Sequence, residues 1–410
     1  MHKKTAIATA VAFATLMGVA GTAQAQSASK VELWGIVDAA VRHTNNQGAA
    51  RGNKTEMVGG GMSQSRWGIK VTEDLGGGSS ALVELENRLN ADDGSVSTPF
   101  FQLAYVGLQG PYGRLTMGRQ WNVLFDVVTS TYASFPYSPY MDAYKPELGM
   151  AVGARNSNML KYTFATPTRS FVGSLQYSFK ERNDTEAIEN TALSGGNPAP
   201  LVPGLVSSTL TGGALKTMGG YLRYSNSGVS LGAGYLRTEL PGGSDVDAWT
   251  AGGSYRSGPL YLNLGYGLNK LKNNAVSTTN IVAATRATLR NAVDGAILNQ
   301  LWGGQTSGGF QAGDANKRQM LKVGFGYQVT PKVNAGLHYF HAKQSGSGTG
   351  ASNGKANFMV GAVDYAFSKR TDAYFAVDHT KVSGGTNMFI DAASQARTRT
   401  GITTGIRHRF

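Results

Sequence analysis

The chain has no cysteine, few charges for its length and only one long apolar run. Charged residues make up 15% of its 410 residues. The lack of cysteine excludes disulfides as a source of stability. Beyond the first 25 residues, no stretch reaches the eighteen or more apolar residues of a membrane-spanning helix. The fold must therefore gain its stability in another way, and backbone pairing in a closed sheet would supply it.

The N-terminal residues have the three parts of a secretory signal peptide. Residues 2–4 carry positive charge, residues 5–20 are apolar and small, and an A-x-A cleavage site ends at Ala25. An N-terminal membrane helix is the alternative, but the apolar stretch is short and runs straight into the cleavage signature. We therefore predict a signal peptide over 1–25 and a single mature domain over 26–410.

Glycine and tyrosine are abundant, with 55 and 18 residues, and polar and apolar residues alternate with a period of two. Such alternation over about ten residues is typical of strands in a transmembrane barrel. A soluble β-sandwich shows the same period. Sixteen segments can be placed, near residues 31–42, 62–73, 79–90, 100–109, 112–119, 155–165, 169–180, 216–226, 228–239, 245–256, 258–270, 317–329, 331–343, 355–368, 371–383 and 398–410.

The connections between these segments alternate strictly between short and long. Seven short turns rich in Gly, Pro and Asn are interleaved with eight longer links, near 43–61, 91–99, 120–154, 181–215, 240–244, 271–316, 344–354 and 384–397. Sixteen up-and-down strands give this pattern when both termini lie on the short-turn side, whereas Greek-key crossings do not. We predict an all-β fold, a sixteen-stranded antiparallel transmembrane β-barrel with short periplasmic turns and long extracellular loops.

The last ten residues, GITTGIRHRF, form an alternating segment that ends on Phe410. Chain ends are usually loose unless they are tied into a sheet. In a closed barrel the last strand pairs with the first and leaves no edge. We therefore expect this segment to close the barrel.

The sequence contains no convincing catalytic or metal-binding motif. The five histidines beyond the signal peptide show no metal-ligand spacing, and no nucleophile motif is present. Glu84, Glu86 and Arg88 share one strand face, as alternate strand residues always do, which indicates either a polar lumen wall or ion pairing in the barrel interior. We predict no enzyme activity, no cofactor and no metal. We expect no nucleic acid as a partner, because the predicted signal peptide would carry the chain out of the cytoplasm.

Five segments, in order along the mature chain, resemble the Gram-negative trimeric general porins, the sixteen-stranded diffusion channels of the outer membrane. They match the family's first strand, its second strand with the first turn, its fourth and fifth strands, the hairpin before the last strand, and the terminal signal. The segments are VELWGIVDAAV (31–41), SRWGIKVTEDLGGG (65–78), AYVGLQGPYGRLTMGRQ (104–120), DYAFSKRTDAYFAV (364–377) and GIRHRF (405–410).

The resemblance implies a constriction in which an inward-folded third loop faces a basic wall. Residues 120–154 are this loop, and Pro146-Glu147-Leu148-Gly149 resembles the family's Pro-Glu-Phe-Gly tip. It implies Glu147 as one constriction acid and Asp142 as a second.

The matching wall positions are Arg66, Arg119 and Arg155. Gln102 stands where the family usually has a further arginine, which weakens the basic ladder. The resemblance also makes Phe410 part of the signal that the outer-membrane assembly machinery reads.

The resemblance implies passive diffusion of small hydrophilic solutes and ions through a water-filled channel. It also implies that the protein is a homotrimer that lies in the lipid of the bacterial outer membrane. The formal net charge is +13, or +11 once Lys3 and Lys4 are removed with the signal peptide, and it favours mild anion selectivity. A substrate-specific outer-membrane channel and an outer-membrane barrel enzyme are the alternatives.

Overall fold

The computed structural model describes residues 29–133, 154–180, 216–240, 244–272, 316–346, 350, 353–386, 388–390 and 395–410. The predicted signal peptide lies outside these residues. No helix among them is long and apolar enough to cross a membrane.

The described residues form seventeen strands and one short helix. The first strands are β1 (Lys30–Gln47), β2 (Gly52–Gly59), β3 (Arg66–Gly76), β4 (Ser79–Leu89), β5 (Val96–Gly110) and β6 (Gly113–Trp121), followed by α1 (Val123–Thr131). The remaining strands are β7 (Arg155–Ala165), β8 (Phe171–Ser178), β9 (Thr217–Asn226), β10 (Val229–Leu240), β11 (Ser244–Ser257), β12 (Leu260–Lys272), β13 (Lys317–Thr330), β14 (Val333–Ser345), β15 (Gly354–Ala366), β16 (Thr371–Gly384) and β17 (Thr398–Arg409).

Strands β1 and β17 close the sheet into a barrel. Their antiparallel register pairs Ile36 with Arg409, and Gly35 and Phe410 exchange two backbone hydrogen bonds of 3.0 Å. The other edge of β1 pairs with β3 along its first half and with β2 along its second half. Because β2 and β3 share one place in the wall, the seventeen described strands fill sixteen positions. The predicted sixteen-stranded antiparallel barrel is confirmed.

Side chains alternate between the outer and inner faces of the barrel, as the sequence pattern predicts. On β13, Leu321, Val323 and Phe325 point outward and are 40%, 47% and 44% exposed, while Met320 and Lys322 point inward and are each 4% exposed. An apolar outer face and a polar inner face suit a wall between lipid and water.

The seven predicted tight turns all connect neighbouring strands of the barrel. The turn between β3 and β4 requires glycine, because Gly77 and Gly78 have φ angles of +61° and +76°. The link predicted at 240–244 is shorter than expected, since β10 runs to Leu240 and β11 begins at Ser244.

The first long connection departs from the sequence prediction. Residues 43–61 were expected to form a loop, but they complete β1 and form β2, which extends the wall by pairing with β1. The strand predicted over 62–73 begins instead at Arg66. The reason is that residues 60–65 leave the wall to bind the inward-facing Asp38.

Candidate functional site

The third loop turns into the barrel at α1, which is capped and held by inner-wall side chains. Asn122 is the N-cap, and its Oδ1 accepts a hydrogen bond of 2.9 Å from the N–H of Phe125. Gln176 Oε1 on β8 accepts one of 2.8 Å from the first N–H of the helix. Lys161 Nζ on β7 lies 2.8 Å from Asp126 Oδ2. These contacts fix the start of α1 against the inner face of β7 and β8.

Glycines on β10, β11 and β12 let α1 and the residue after it lie directly on the wall. A Cβ atom at Gly232 would stand 2.8 Å from Cγ2 of Val127. Tyr132 lies between Gly252 and Gly265, where added Cβ atoms would stand 2.5 Å and 2.4 Å from ring carbons. Carbon atoms in ordinary contact are about 3.5 to 4.0 Å apart. A larger residue at any of these glycines would push the third loop away from the wall.

Hydroxyl groups on the same wall bind the C-terminal end of α1. Ser254 Oγ donates a hydrogen bond of 2.5 Å to the carbonyl oxygen of Thr131. Tyr261 Oη donates one of 2.7 Å to the carbonyl oxygen of Ala133. These carbonyl groups have no partner within the helix, so the wall satisfies them. The described part of the third loop is therefore anchored at both ends of α1.

Three arginines surround the carboxylate of Glu86 at the base of this loop. Arg88 Nε lies 3.3 Å from Glu86 Oε1, Arg155 Nη2 lies 3.8 Å from the same atom, and Arg66 Nη1 lies 3.7 Å from Oε2. The side chains of Glu86, Arg88 and Arg155 are at most 3% exposed, and that of Arg66 is 22% exposed. Three guanidinium charges against one carboxylate leave the group positive. We call these four residues the arginine group.

Trp121 connects the arginine group to the third-loop helix. The guanidinium carbon of Arg155 lies 3.7 Å from the centre of the Trp121 ring, and that of Arg88 lies 5.2 Å from it. The ring also stacks on Phe125 of α1, with 3.7 Å between centroids and 8° between planes. Cations are attracted to the faces of aromatic rings, most strongly to tryptophan. The position of α1 and the positions of two arginines are therefore coupled.

The structure brings together two of the three predicted wall arginines, Arg66 and Arg155, and adds Arg88. The predicted ion pairing within Glu84, Glu86 and Arg88 is confirmed, because Arg88 contacts Glu86 directly. The alternation of side chains along the strand had already placed Arg88 on the inner face. This alternation could not show that Arg88 would meet arginines from two other strands. Sequence reasoning therefore missed its place in the arginine group.

Arg119 lies elsewhere in the wall. It pairs with Ala104 of β5, beside a shift in the register of β6 against β7 between Gly118 and Gln120. Its Nη1 donates a hydrogen bond of 2.9 Å to Ser157 Oγ. We do not count Arg119 in the arginine group, and its place on the constriction wall stays a prediction.

The remaining predicted site residues fall into three cases. Gln102 is 3% exposed and its Nε2 donates a hydrogen bond of 2.6 Å to the carbonyl oxygen of Pro99. Phe410 is 46% exposed and belongs to the outer face of the closing strand. Asp142 and Glu147 lie outside the described residues.

Further ion pairs lie on the inner face of the last strands. Asp378 accepts hydrogen bonds of 2.7 Å and 3.0 Å from the guanidinium of Arg42, and Asp372 Oδ1 lies 3.0 Å from Nε of Arg407. Within the described ranges, no group of three His, Cys, Asp or Glu side chains is placed to hold a metal ion. Arginines hold both Asp378 and Asp372.

The described part of the last long loop, between β16 and β17, also packs inside the barrel. Met388 and Ile390 are 1% and 2% exposed and contact inward-facing side chains of β13–β16. Backbone hydrogen bonds fix them, from Met388 N to Gly385 O at 3.1 Å and from Ile390 N to Ala396 O at 2.7 Å. We call the set the inner apolar cluster: Met320, Phe340, Ala342, Ala356, Phe358, Val360, Val382, Met388 and Ile390.

The double substitution Met388→Ser and Ile390→Ser is expected to raise the single-channel conductance. Burial of each side chain contributes about 1.5 to 3 kcal/mol, so two serines remove most of what holds this loop against the wall. The released loop would occupy less of the lumen. Planar-bilayer recording on the purified protein measures the conductance. Met359→Ser is the matched control, because Met359 lies on the outer face of β15 and is 47% exposed. Unchanged conductance in the folded double variant would contradict the prediction.

A closed barrel with an apolar outer face, a charged inner wall and a loop folded into its lumen defines a water-filled transmembrane channel. The chain belongs to the Gram-negative porin family, whose model matches residues 8–385. It is 31% identical over 270 residues to outer membrane porin protein 32 of Delftia acidovorans, which covers 64% of this chain and 68% of that protein. It is 28% identical over 288 residues to an outer membrane porin protein of Bordetella pertussis, which covers 63% of this chain and 68% of that protein.

Solved structures share the fold across nearly the whole chain. An anion-selective porin from Comamonas acidovorans aligns over 93% of this chain and 100% of that one, with a TM-score of 0.65 and 22% identity. The trimer form of the outer membrane protein OmpT of Vibrio cholerae aligns over 94% and 100%, with a TM-score of 0.63 and 13% identity. The protein is therefore an outer-membrane porin of the passive-diffusion type.

Proposed function

We propose that the channel passes small hydrophilic solutes and ions with a preference for anions. The observation that carries this proposal is the arginine group, in which Arg66, Arg88 and Arg155 outnumber the single carboxylate of Glu86. The net positive charge of the chain acts in the same direction. The porin of Comamonas acidovorans, which shares this fold, is described as anion-selective.

The physical basis is the electric field across a narrow, low-dielectric opening. Fixed charges of one sign on the wall of such an opening raise the local concentration of ions of the opposite sign. Arginine suits this role because its guanidinium stays charged at all relevant pH values. We further propose that Asp142 and Glu147 of the third loop face these arginines, as the family resemblance implies, and that the resulting transverse field favours polar permeants.

Planar-bilayer recording tests the proposed function. Purified protein is expected to give stepwise, ohmic current increments, and the reversal potential in a KCl gradient is expected to have the sign of chloride preference. The preference should weaken at higher salt, because the screening length falls from about 10 Å at 0.1 M to about 3 Å at 1 M. A clear potassium preference would refute the anion selectivity, and an absence of stepwise current would refute the channel itself.

We also propose the assembly and processing of the protein. Removal of residues 1–25 on export would leave the domain over 26–410, and three copies would form a homotrimer, as in the trimer form of the Vibrio cholerae protein. Phe410 ends the strand that closes the barrel, which fits a role in the signal read by the assembly machinery. We propose no enzymatic activity, and turnover of lipid or peptide substrates that a single His or Ser substitution abolishes would refute this.

A further inference from the structure

Residues 60–65, between β2 and β3, leave the wall and fold around one inward-facing carboxylate. We call this segment the inner bulge. Asp38 Oδ2 accepts hydrogen bonds from the N–H groups of Met62 at 3.0 Å and Ser63 at 2.6 Å, and Oδ1 accepts one from Gly61 at 3.1 Å. Asp38 is fully buried. Three consecutive backbone N–H groups thus converge on one carboxylate.

Three more contacts fasten both ends of the inner bulge to the same residue. Gly60 N donates to the carbonyl oxygen of Asp38 at 2.8 Å. Asp38 N donates to Ser65 Oγ at 2.9 Å, and that hydroxyl donates to Asp38 O at 3.1 Å. Tyr374 of β16 donates its hydroxyl to Asp38 Oδ1 at 2.5 Å. Hydrogen bonds to a charged acceptor are about twice as strong as neutral ones, so Asp38 fixes the path of the bulge.

The bulge presents Gln64 to two members of the arginine group. Arg88 Nη1 donates a hydrogen bond to Gln64 Oε1, and Arg66 Nε donates one of 3.2 Å to the carbonyl oxygen of Gln64. The side chain and the main chain of Gln64 therefore each hold one guanidinium. The position of Gln64 depends on the turn that Asp38 holds.

We propose that Asp38 is a positioning residue for ion selectivity. It acts through the inner bulge and Gln64 to hold Arg66 and Arg88 at the lumen wall. This inference rests on the proposed anion preference and deepens it. Loss of a negative charge from the lumen would ordinarily raise the anion selectivity. Loss of the Asp38 charge should instead lower it, because Arg66 and Arg88 would no longer be held in place.

The test compares three variants by reversal potential in a KCl gradient. Asp38→Asn leaves only one acceptor oxygen and directs an NH₂ group at backbone donors, so it loosens the bulge. Ser65→Ala loosens the end of the bulge beside Arg66 without any change of charge. Asp378→Asn is the charge control, because it removes another buried carboxylate from the inner wall, one that Arg42 holds.

We expect the anion-to-cation permeability ratio to fall below the wild-type value in D38N and in S65A, and to rise above it in D378N. Similar rises in D38N and D378N would show that Asp38 acts only as a lumen charge and would overturn the proposal. Heat-modifiable mobility on gels confirms that each variant is folded. If D38N does not fold, S65A decides, and an unchanged ratio in S65A overturns the proposal. The wild-type reversal potential tests the proposed function separately from these comparisons.

Discussion

Replacing Glu86 by glutamine is expected to destabilise the barrel and to increase its anion preference. Three arginines share this carboxylate, and the side chains of two of them, Arg88 and Arg155, are at most 3% exposed. Removal of one partner from a buried charge group costs about 3 to 5 kcal/mol, because the buried arginines lose an opposite charge. The temperature at which the heat-modifiable gel band shifts should fall, and the reversal potential should move toward that of chloride.

Glu84→Gln is the matched control for this prediction. Glu84 lies two residues earlier on the inner face of the same strand, accepts a hydrogen bond from Tyr105 and lies 3.6 Å from Nζ of Lys70. Its side chain is 18% exposed against 3% for Glu86, so solvent compensates part of the loss. We expect a smaller effect on stability in E84Q. Equal effects of the two substitutions on stability would contradict the special position of Glu86.

Replacing Tyr132 by alanine is expected to release the end of the third-loop helix and to increase the open-channel current noise. The ring fills a slot between Gly252 and Gly265, and its hydroxyl is hydrogen bonded to Thr250 Oγ1. Truncation of a buried aromatic side chain to alanine typically costs about 3 to 5 kcal/mol. The two glycines that form the slot have no side chains that could expand to fill it. The power spectrum of the single-channel current measures the extra motion.

Tyr132→Phe separates the ring from the hydroxyl. The phenylalanine ring keeps the contacts with both glycines and loses one hydrogen bond, which contributes about 1 kcal/mol. We expect current noise close to that of the wild type in this variant. Gel mobility shows whether Y132A is folded. If folded Y132A had the same current noise as Y132F, the ring would not anchor the loop.

The barrel could be predicted from the sequence because each strand is specified locally. Leu321, Val323 and Phe325 face outward, and Lys322 between them faces inward, since the two sides of the wall meet lipid and water. Tight turns are equally local, because Gly77 and Gly78 supply backbone angles that other residues rarely adopt. Neither feature depends on which strands become neighbours.

The site could be predicted only in part, because its contacts cross between strands. The family resemblance pointed to Arg66 and Arg155, and the alternation along β4 placed Arg88 on the inner face. Neither showed that the three arginines would meet around Glu86. Arg119 matches a short motif, but the motif does not show that its Nη1 binds Ser157 Oγ of β7, because that contact depends on how β6 and β7 pair.

The inner bulge and the last loop show most clearly what a local pattern leaves undecided. Residues 62–65 belong to a segment whose alternating pattern predicts a strand, but Asp38 of β1 binds this part of the chain and holds it out of the wall. Asp38 is in turn bound by Tyr374 of β16. Met388 and Ile390 were placed in an extracellular link, but inward-facing side chains of β13–β16 bury them.

The sequence by itself determined the number of strand positions, their order, the face of most side chains and the places of seven tight turns. Alternation with a period of two and turn chemistry are properties of neighbouring residues, so they can be read along the chain. Only the tertiary structure decided which arginines share Glu86, where α1 lies and how Asp38 shapes the wall. Most of those contacts join residues on different strands or in loops, and only the pairing of the strands brings these residues together.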